Sequence, residues 1–260
     1  MKLFLRLRYL GTAYNGYQVQ GDQPTVQGEL TRACAALFGK KCDVTGCSRT
    51  DSGVHANDFC VTVAEHGTNV LETTVPLSRI PVALNAHLPE DIAIYEAGMV
   101  DGDFHPRYDV IYKEYVYRIY NHPCRSPFEE NRAWFYPKAI SDADLTRMQA
   151  AAQHYCGKHD FTSFMAQGSK VAHAVRTVMY ASVTRSGDVI EFRVAADGFL
   201  YNMVRIMAGT LVAVAEHKIE PEDLPDILAA CDRSRAGMTA PAHGLYLQHV
   251  EYNSFGGGNA

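Results

Sequence analysis

The run Gly46-Cys47-Ser48-Arg49-Thr50-Asp51-Ser52-Gly53-Val54-His55-Ala56 sets one carboxylate among small, turn-forming residues, with a guanidinium two positions upstream. Glycine tolerates backbone geometry that other residues resist, so the run reads as a short loop that presents Asp51. A loop crowded with hydroxyl, guanidinium and carboxylate groups makes a poor core and a good active site. Asp51 has a structural reading as an Asx-turn or helix N-cap and a functional one as nucleophile or general base. Asp51-Ser52-Gly53 also has the form of an aspartic-protease triplet, whose chemistry needs two carboxylates sharing a proton. Ala196-Asp197-Gly198 is a weak second candidate, and a dimer could supply a symmetric partner. Arg49, two residues from Asp51, holds the carboxylate ionised, which a proton-sharing pair does not want.

A second chemical signal lies in the stretch from Tyr201 to Val214, apolar on nearly every face and charged only at Arg205. Such a helix is largely buried, and a buried guanidinium without a partner is costly. Its partner is a carbonyl cluster, a phosphate or Asp51; an arginine-paired aspartate stays ionised, which suits a nucleophile. The strand Tyr112-Lys113-Glu114-Tyr115-Val116-Tyr117-Arg118-Ile119-Tyr120 places Tyr115, Tyr117 and Ile119 on one face. Most of these tyrosines are packing residues, and one of them can be a platform for a base. Phe104-His105-Pro106-Arg107-Tyr108-Asp109 mixes basic and aromatic groups, either as an RNA-contacting segment or as a linker. His55 and His243 read as loop histidines held by local hydrogen bonds. Cys42 with Cys47, and His154 with His159, have permissible zinc spacing, but roughly a hundred residues separate the pairs. No metal is expected. No glycine-rich phosphate loop or dinucleotide fingerprint occurs, so no nucleotide cofactor is expected either.

The bulk numbers bound these readings. The 260 residues allow one large domain or two modest ones, and 47% are hydrophobic, as in ordinary globular chains. No run approaches the ~18 apolar residues of a membrane helix. The N-terminus alternates like a strand and does not resemble a signal peptide. Seven scattered cysteines give no disulfide framework and suit a reducing cytoplasm. The net charge of −5 argues against a protein that coats nucleic acid non-specifically. It leaves room for a local basic cleft, because phosphates respond to nearby cations.

The elements that must position these groups follow from periodicity. Residues 2–10 alternate as a strand, and 25–38 have helical spacing that stops at Gly39. Strand character returns at 59–65, a short helix is expected over 76–87, and a strand over 92–100. In the second half a strand spans 112–120, and Ser141-x-x-Asp144 opens a helix with a capping box. Strands at 176–184 and 189–196 meet around Ser186-Gly187, a hairpin signal. Residues 200–216 are helical, Pro221 opens a short helix, and 245–252 close as a strand. The class is α+β, with two similar ferredoxin-like halves whose mostly antiparallel sheets join around a central cleft. The expected domains are 1–103, carrying the Asp51 loop, and 104–254; the glycine-rich tail 255–260 is expected to be disordered.

The loop is similar to the G-x-G-R-T-D-A-G-V-H-A signature of the tRNA pseudouridine synthase A family. Further segments resemble that family in order: Tyr9-x-Gly11-Thr12-x-Tyr14-x-Gly16-Tyr17-Gln18-x-Gln20, Thr25-Val26-Gln27-Gly28-Glu29-Leu30, Phe104-His105-Pro106-Arg107 and Lys113-Glu114-Tyr115-x-Tyr117. Asp160-Phe161-Thr162-Ser163-Phe164, Gly198-Phe199-Leu200-x-x-Met203-Val204-Arg205 and Ala240-Pro241-Ala242-x-Gly244-Leu245 follow. Ser48 and Ser52 stand where the family usually has Gly and Ala, Tyr17 where tryptophan is common, and Asn57-Asp58 adds acidity after the loop.

The resemblance implies conversion of uridine to pseudouridine at positions 38, 39 and 40 of the tRNA anticodon stem-loop, without a cofactor. It implies that Asp51 is the nucleophile, at C1′ of the ribose or C6 of the base. It implies that Tyr115 stacks on the target base and assists loss of the C5 proton, that Arg205 pairs with the catalytic carboxylate, and that Arg49 displaces the target nucleotide. Arg107 and Leu245 fall in motifs assigned to substrate binding. A cytoplasmic homodimer with tRNA across both subunits is implied, with no membrane contact. The alternative from another class is a non-catalytic RNA-binding module on the same fold, against which Asp51, Tyr115 and Arg205 together argue.

Overall fold

Leu3, Leu5 and Leu7 are fully buried while Arg6 and Arg8 point the other way, the alternation that makes Lys2–Tyr9 strand β1. The computed structural model describes residues 1–168 and 173–253, and the expected disordered tail lies outside them. The chain divides into two compact units. Unit 1 comprises Met1–Ile111 and the segment from Leu247 onward; unit 2 comprises Tyr112–Tyr246.

In unit 1, β1 is followed by helix α1 (Val26–Phe38), which buries Val26, Leu30, Ala33 and Cys34 at helical spacing. Thr25 caps it by accepting from the Gly28 N–H, and Gly39 ends it in the left-handed region at φ 64°. Strands β2 (Cys42–Gly46) and β3 (His55–Glu65) follow, then helix α2 (Ile80–Asn85) and strand β4 (Ile92–Val100). The sheet order is β4-β1-β3, with β2 also on β3 and the last strand of the chain, β10 (Leu245–Tyr252), beside β3. The pairings β1–β3, β1–β4 and β2–β3 are antiparallel.

Unit 2 opens with β5 (Val110–Tyr120), on which the short β6 (Trp134–Phe135) lies parallel. Helix α3 (Asp142–Gln153) begins at Ser141 with the expected capping box to Asp144. Strands β7 (Gly157–Asp160), β8 (Val175–Ser186) and β9 (Val189–Ala196) complete the antiparallel order β5-β9-β8-β7. Gly187, at φ 59°, turns the β8–β9 hairpin. Helix α4 (Met203–Ala215) is buried along almost its whole length, and α5 (Leu224–Ala229) follows Pro221. Helices combined with mostly antiparallel strands make this the α+β class that the sequence pattern implied.

Helix α4 and strand β3 begin elsewhere than the pattern places them. Helix α4 starts at Met203, not at residue 200, because Asn202 adopts a left-handed conformation at φ 60° that no helix interior accepts. Strand β3 starts at His55, not at Phe59. Its buried residues include His55, Ala56, Asp58, Phe59 and Cys60, so simple alternation fails there.

Candidate active site

The loop between β2 and β3 is held from below by the segment after β1. The Gly11 N–H donates to Nδ1 of the fully buried His55 (2.9 Å), and the Tyr17 N–H donates to the Thr50 carbonyl (3.1 Å). The Ser52 hydroxyl donates to the Tyr14 carbonyl (3.2 Å), and the Tyr9 and Thr50 hydroxyls share a hydrogen bond (2.8 Å). A Cβ on Gly11 would sit 2.0 Å from the Val54 carbonyl oxygen, and one on Gly16, which has φ 82°, would sit 2.7 Å from the Thr50 oxygen. Only glycine lets the two backbones approach this closely. Tyr17 stacks on Phe59 at 4.5 Å, and a Cβ on Gly46 would strike its ring. Thus Thr50, Val54 and His55 are buried on either side of Asp51, which is partly exposed, while Arg49 is exposed. Gly53 (φ 80°) closes the turn, with the Val54 N–H donating to the Asp51 carbonyl.

Two departures from the family pattern have a structural use here. Ser52 adds its hydroxyl bond to Tyr14, and Tyr17 provides the aromatic face against Phe59. Asp58 points into unit 1, where it accepts from Arg6 and Tyr95, so it is not a charge beside the loop. Arg107 lies in another segment of unit 1. Its N–H donates to His105 Nδ1 within a turn closed by His105 and Asp109, and the Tyr252 hydroxyl donates to the Pro106 carbonyl.

In unit 2, Tyr115 is 6% exposed on β5, and its ring meets Phe199 edge-on at 4.9 Å. Tyr117 is fully buried and donates its hydroxyl to the Pro241 carbonyl (2.7 Å), which marks it as a scaffold residue. Arg205 sits in the first turn of α4. Its Nε donates to the Ala240 carbonyl (2.8 Å) and its Nη1 to the Asn202 side-chain oxygen (2.7 Å). The Ala240 N–H returns a bond to the Arg205 carbonyl. Segment 237–244 is tied to α4 at further points: the Gly237 N–H donates to the Thr210 hydroxyl, and a Cβ on Gly209 would meet the Met238 oxygen at 1.9 Å. Leu245 is buried just beyond this segment, next to Gly244, where a Cβ would strike the Tyr117 ring. The structure therefore gathers Arg205, the Ala240–Leu245 motif and Tyr117 into one packed group.

His243 shares that group. Burial first, and then the Arg205 charge, hold its pKa below the ordinary histidine value, against a smaller upward pull from Glu130. The unfolded chain therefore binds a proton near pH 6.5 that the folded chain refuses, so stability falls as pH drops from there towards the lowered folded value. His243→Gln is expected to flatten this part of the stability curve, measured by urea denaturation between pH 7 and pH 5. An unchanged slope would show that the imidazole titrates normally.

Other suggested groups have structural roles. Asp197 accepts from the Thr177 N–H (3.0 Å), which ties β8 to the end of β9. Cys42 and Cys47 are buried thiols. His154 and His159 line a cavity of about 500 Å³ together with Cys156, Asp160 and Cys231. Among the described residues, no group of three or more such side chains is placed to hold a metal ion, and no helix is long and apolar enough to cross a membrane.

The model of the tRNA pseudouridine synthase family matches residues 151–253. The chain is 42% identical over 248 residues to tRNA pseudouridine synthase A of Acetivibrio thermocellus, covering 95% of this chain and 98% of that relative. It is 44% identical over 252 residues to that of Moorella thermoacetica, covering 96% and 99%. Against that of Bacillus subtilis it is 41% identical over 256 residues, covering 98% and 100%. The chain belongs to the tRNA pseudouridine synthase A family. Membership makes it an enzyme of the isomerase class. Gly11→Ala forces a backbone shift at Val54, at a cost of about 1–3 kcal/mol. It is expected to lower kcat of the synthase reaction by more than the loss of folded protein accounts for. Activity per folded molecule equal to wild type would show that the floor does not hold the loop in register.

The signals for these supporting roles were uneven. Gly11 and Gly16 lay in a recognisable motif, though nothing in their spacing said which backbone they approach. Asn202 carried a weak signal, a polar residue three positions before Arg205, the spacing at which helical neighbours meet.

Proposed function

We propose that this chain converts uridine to pseudouridine in the anticodon stem-loop of tRNA, at positions 38, 39 and 40, with Asp51 as the nucleophile. The observation that carries the reading is the Asp51 loop. Hydrogen bonds and close glycine contacts hold its flanks, while Asp51 between them is partly exposed. A carboxylate presented on a rigid loop is preorganised for attack.

The reaction breaks the N1–C1′ glycosidic bond, turns the base and joins C5 to C1′. The C5 proton leaves and N1 gains one, so atoms balance without a cofactor. Attack at C1′ or at C6 starts from the same ionised carboxylate. Arg205 keeps that carboxylate charged, Tyr115 stacks on the uracil and assists removal of the C5 proton, and Arg49 occupies the gap left by the extruded nucleotide. Extrusion from a stem costs about a few kcal/mol, and a guanidinium suits the vacated space because it both stacks and contacts phosphate. Arg107 and Leu245 contribute to substrate binding. The enzyme works in the cytoplasm as a homodimer, which lets a chain of net charge −5 concentrate its cations along one groove.

The test is incubation of the protein with unmodified tRNA transcripts followed by chemical mapping of pseudouridine. Modification at 38, 39 or 40 is expected. A tRNA modified only elsewhere would refute the position, and no modification by active-site-intact protein would refute the function.

A further inference from the structure

We propose that Asn202 is a positioning residue for catalysis, whose side-chain oxygen fixes the plane of the Arg205 guanidinium. The inference rests on the reading of Arg205 as the partner of the catalytic carboxylate.

Asn202 stands at the N-cap of α4, where an asparagine side chain ordinarily accepts from the second or third N–H of its helix. Here it makes no such cap bond. Its Oδ1 instead accepts from Arg205 Nη1 at 2.7 Å, while the Ala240 carbonyl accepts from Nε at 2.8 Å. Two acceptors on two different atoms of a planar fork leave it little rotation. The Nη2 edge is then aimed by the scaffold, and it is the edge suited to meet an anion. Neither acceptor carries a formal charge. A carboxylate in place of Asn202 would neutralise the arginine, whereas an amide orients it and leaves its charge for the reaction.

The left-handed backbone of Asn202 has its own explanation, since asparagine tolerates positive φ better than most residues. Glycine tolerates it better still. Asn202→Gly thus keeps the backbone conformation and removes the side chain that carries the oxygen, which separates the two reasons for an asparagine at this position.

The experiment measures steady-state kcat and KM on a tRNA transcript for Asn202→Gly, Asn202→Asp, Arg205→Met and the Asn202→Gly/Arg205→Met double variant, with thermal unfolding as a control. Asn202→Gly is expected to unfold within a few degrees of wild type and to lose up to about 10²-fold in kcat, with KM nearly unchanged, as a misaimed catalytic group does. Asn202→Asp retains an oxygen acceptor but neutralises the guanidinium, and is expected to be slower than wild type; wild-type kcat in it would overturn the argument for an uncharged acceptor. In the Arg205→Met background, Asn202→Gly is expected to add no further loss, because the residue it positions is gone. Wild-type kcat in Asn202→Gly, or the same loss with and without Arg205, overturns the positioning role. Wild-type kcat in Arg205→Met alone overturns instead the reading of Arg205 on which the inference stands.

Discussion

Asp51→Asn is expected to abolish pseudouridine formation, with a fall of about 10³-fold or more in single-turnover rate on a tRNA transcript. The amide has nearly the shape of the carboxylate, but it lacks the anionic oxygen that a nucleophile needs. Removal of a nucleophile costs more than removal of any group that only orients it. Affinity for tRNA is expected to change little, because the phosphate contacts that dominate such binding come from cations elsewhere. Bonds through Thr50, Ser52, Val54 and His55 hold the loop on both sides of Asp51, and a thermal unfolding control is expected to show the variant folded. Chemical mapping after incubation with enzyme in excess reads the rate, and a filter-binding titration reads the affinity. Full turnover by Asp51→Asn would remove the proposed nucleophile. A parallel loss of tRNA affinity would assign the carboxylate to binding.

The second large effect concerns folding. Asp58, with 9% of its side chain exposed, is the hub of a polar cluster on β3 in unit 1. It accepts from Arg6 Nη1 (2.6 Å), from the Tyr95 hydroxyl (2.6 Å) and from the Val250 N–H (3.1 Å), and His249 Nδ1 lies 3.2 Å away. Asp58→Ala leaves the Arg6 charge, 17% exposed, with the Glu96 carboxylate at 3.8 Å, the Val250 carbonyl and the Phe4 ring, and without its short carboxylate bond. Breaking a buried pair from one side costs about 3–5 kcal/mol. That is a large part of the ~5–15 kcal/mol available to a typical domain, and a urea titration would show it as a lower midpoint. Replacing both partners, as in Arg6→Met with Asp58→Leu, is expected to recover much of the loss, because apolar groups of similar volume need no partner. A cost below about 1 kcal/mol for Asp58→Ala would mean that water reaches the cluster.

Much of this architecture was legible where one residue type has one physical use. The Gly39 stop, the Ser141 capping box and the Gly187 hairpin all reported local chemistry, and each appears at its expected place. Strands β2 and β7 were not legible. Cys42–Gly46 is too short to show a period, and Gly157–Asp160 is a polar strand without an apolar face. Asp58 was misleading for a related reason. A lone acidic residue after a loop suggests a surface charge, and its partners Arg6, Tyr95 and Val250 lie far away along the chain. In the candidate site, a lone cation in an apolar helix announced a need for acceptors at Arg205. That need alone did not select Asn202 and Ala240, because a helix N-cap normally uses its own side chain on its own helix.

The segment from Leu247 onward belongs to unit 1, although it is made after all of unit 2. On the ribosome, Tyr112–Tyr246 is therefore complete before the first unit has its last strand. Until Val250 emerges, the Asp58 carboxylate lacks one of its donors, and β3 has an edge that β10 will later occupy. An uncovered strand edge is a template for mispairing. A truncation before Val250 would thus strike the unit that carries Asp51, although the missing residues lie far from it along the chain.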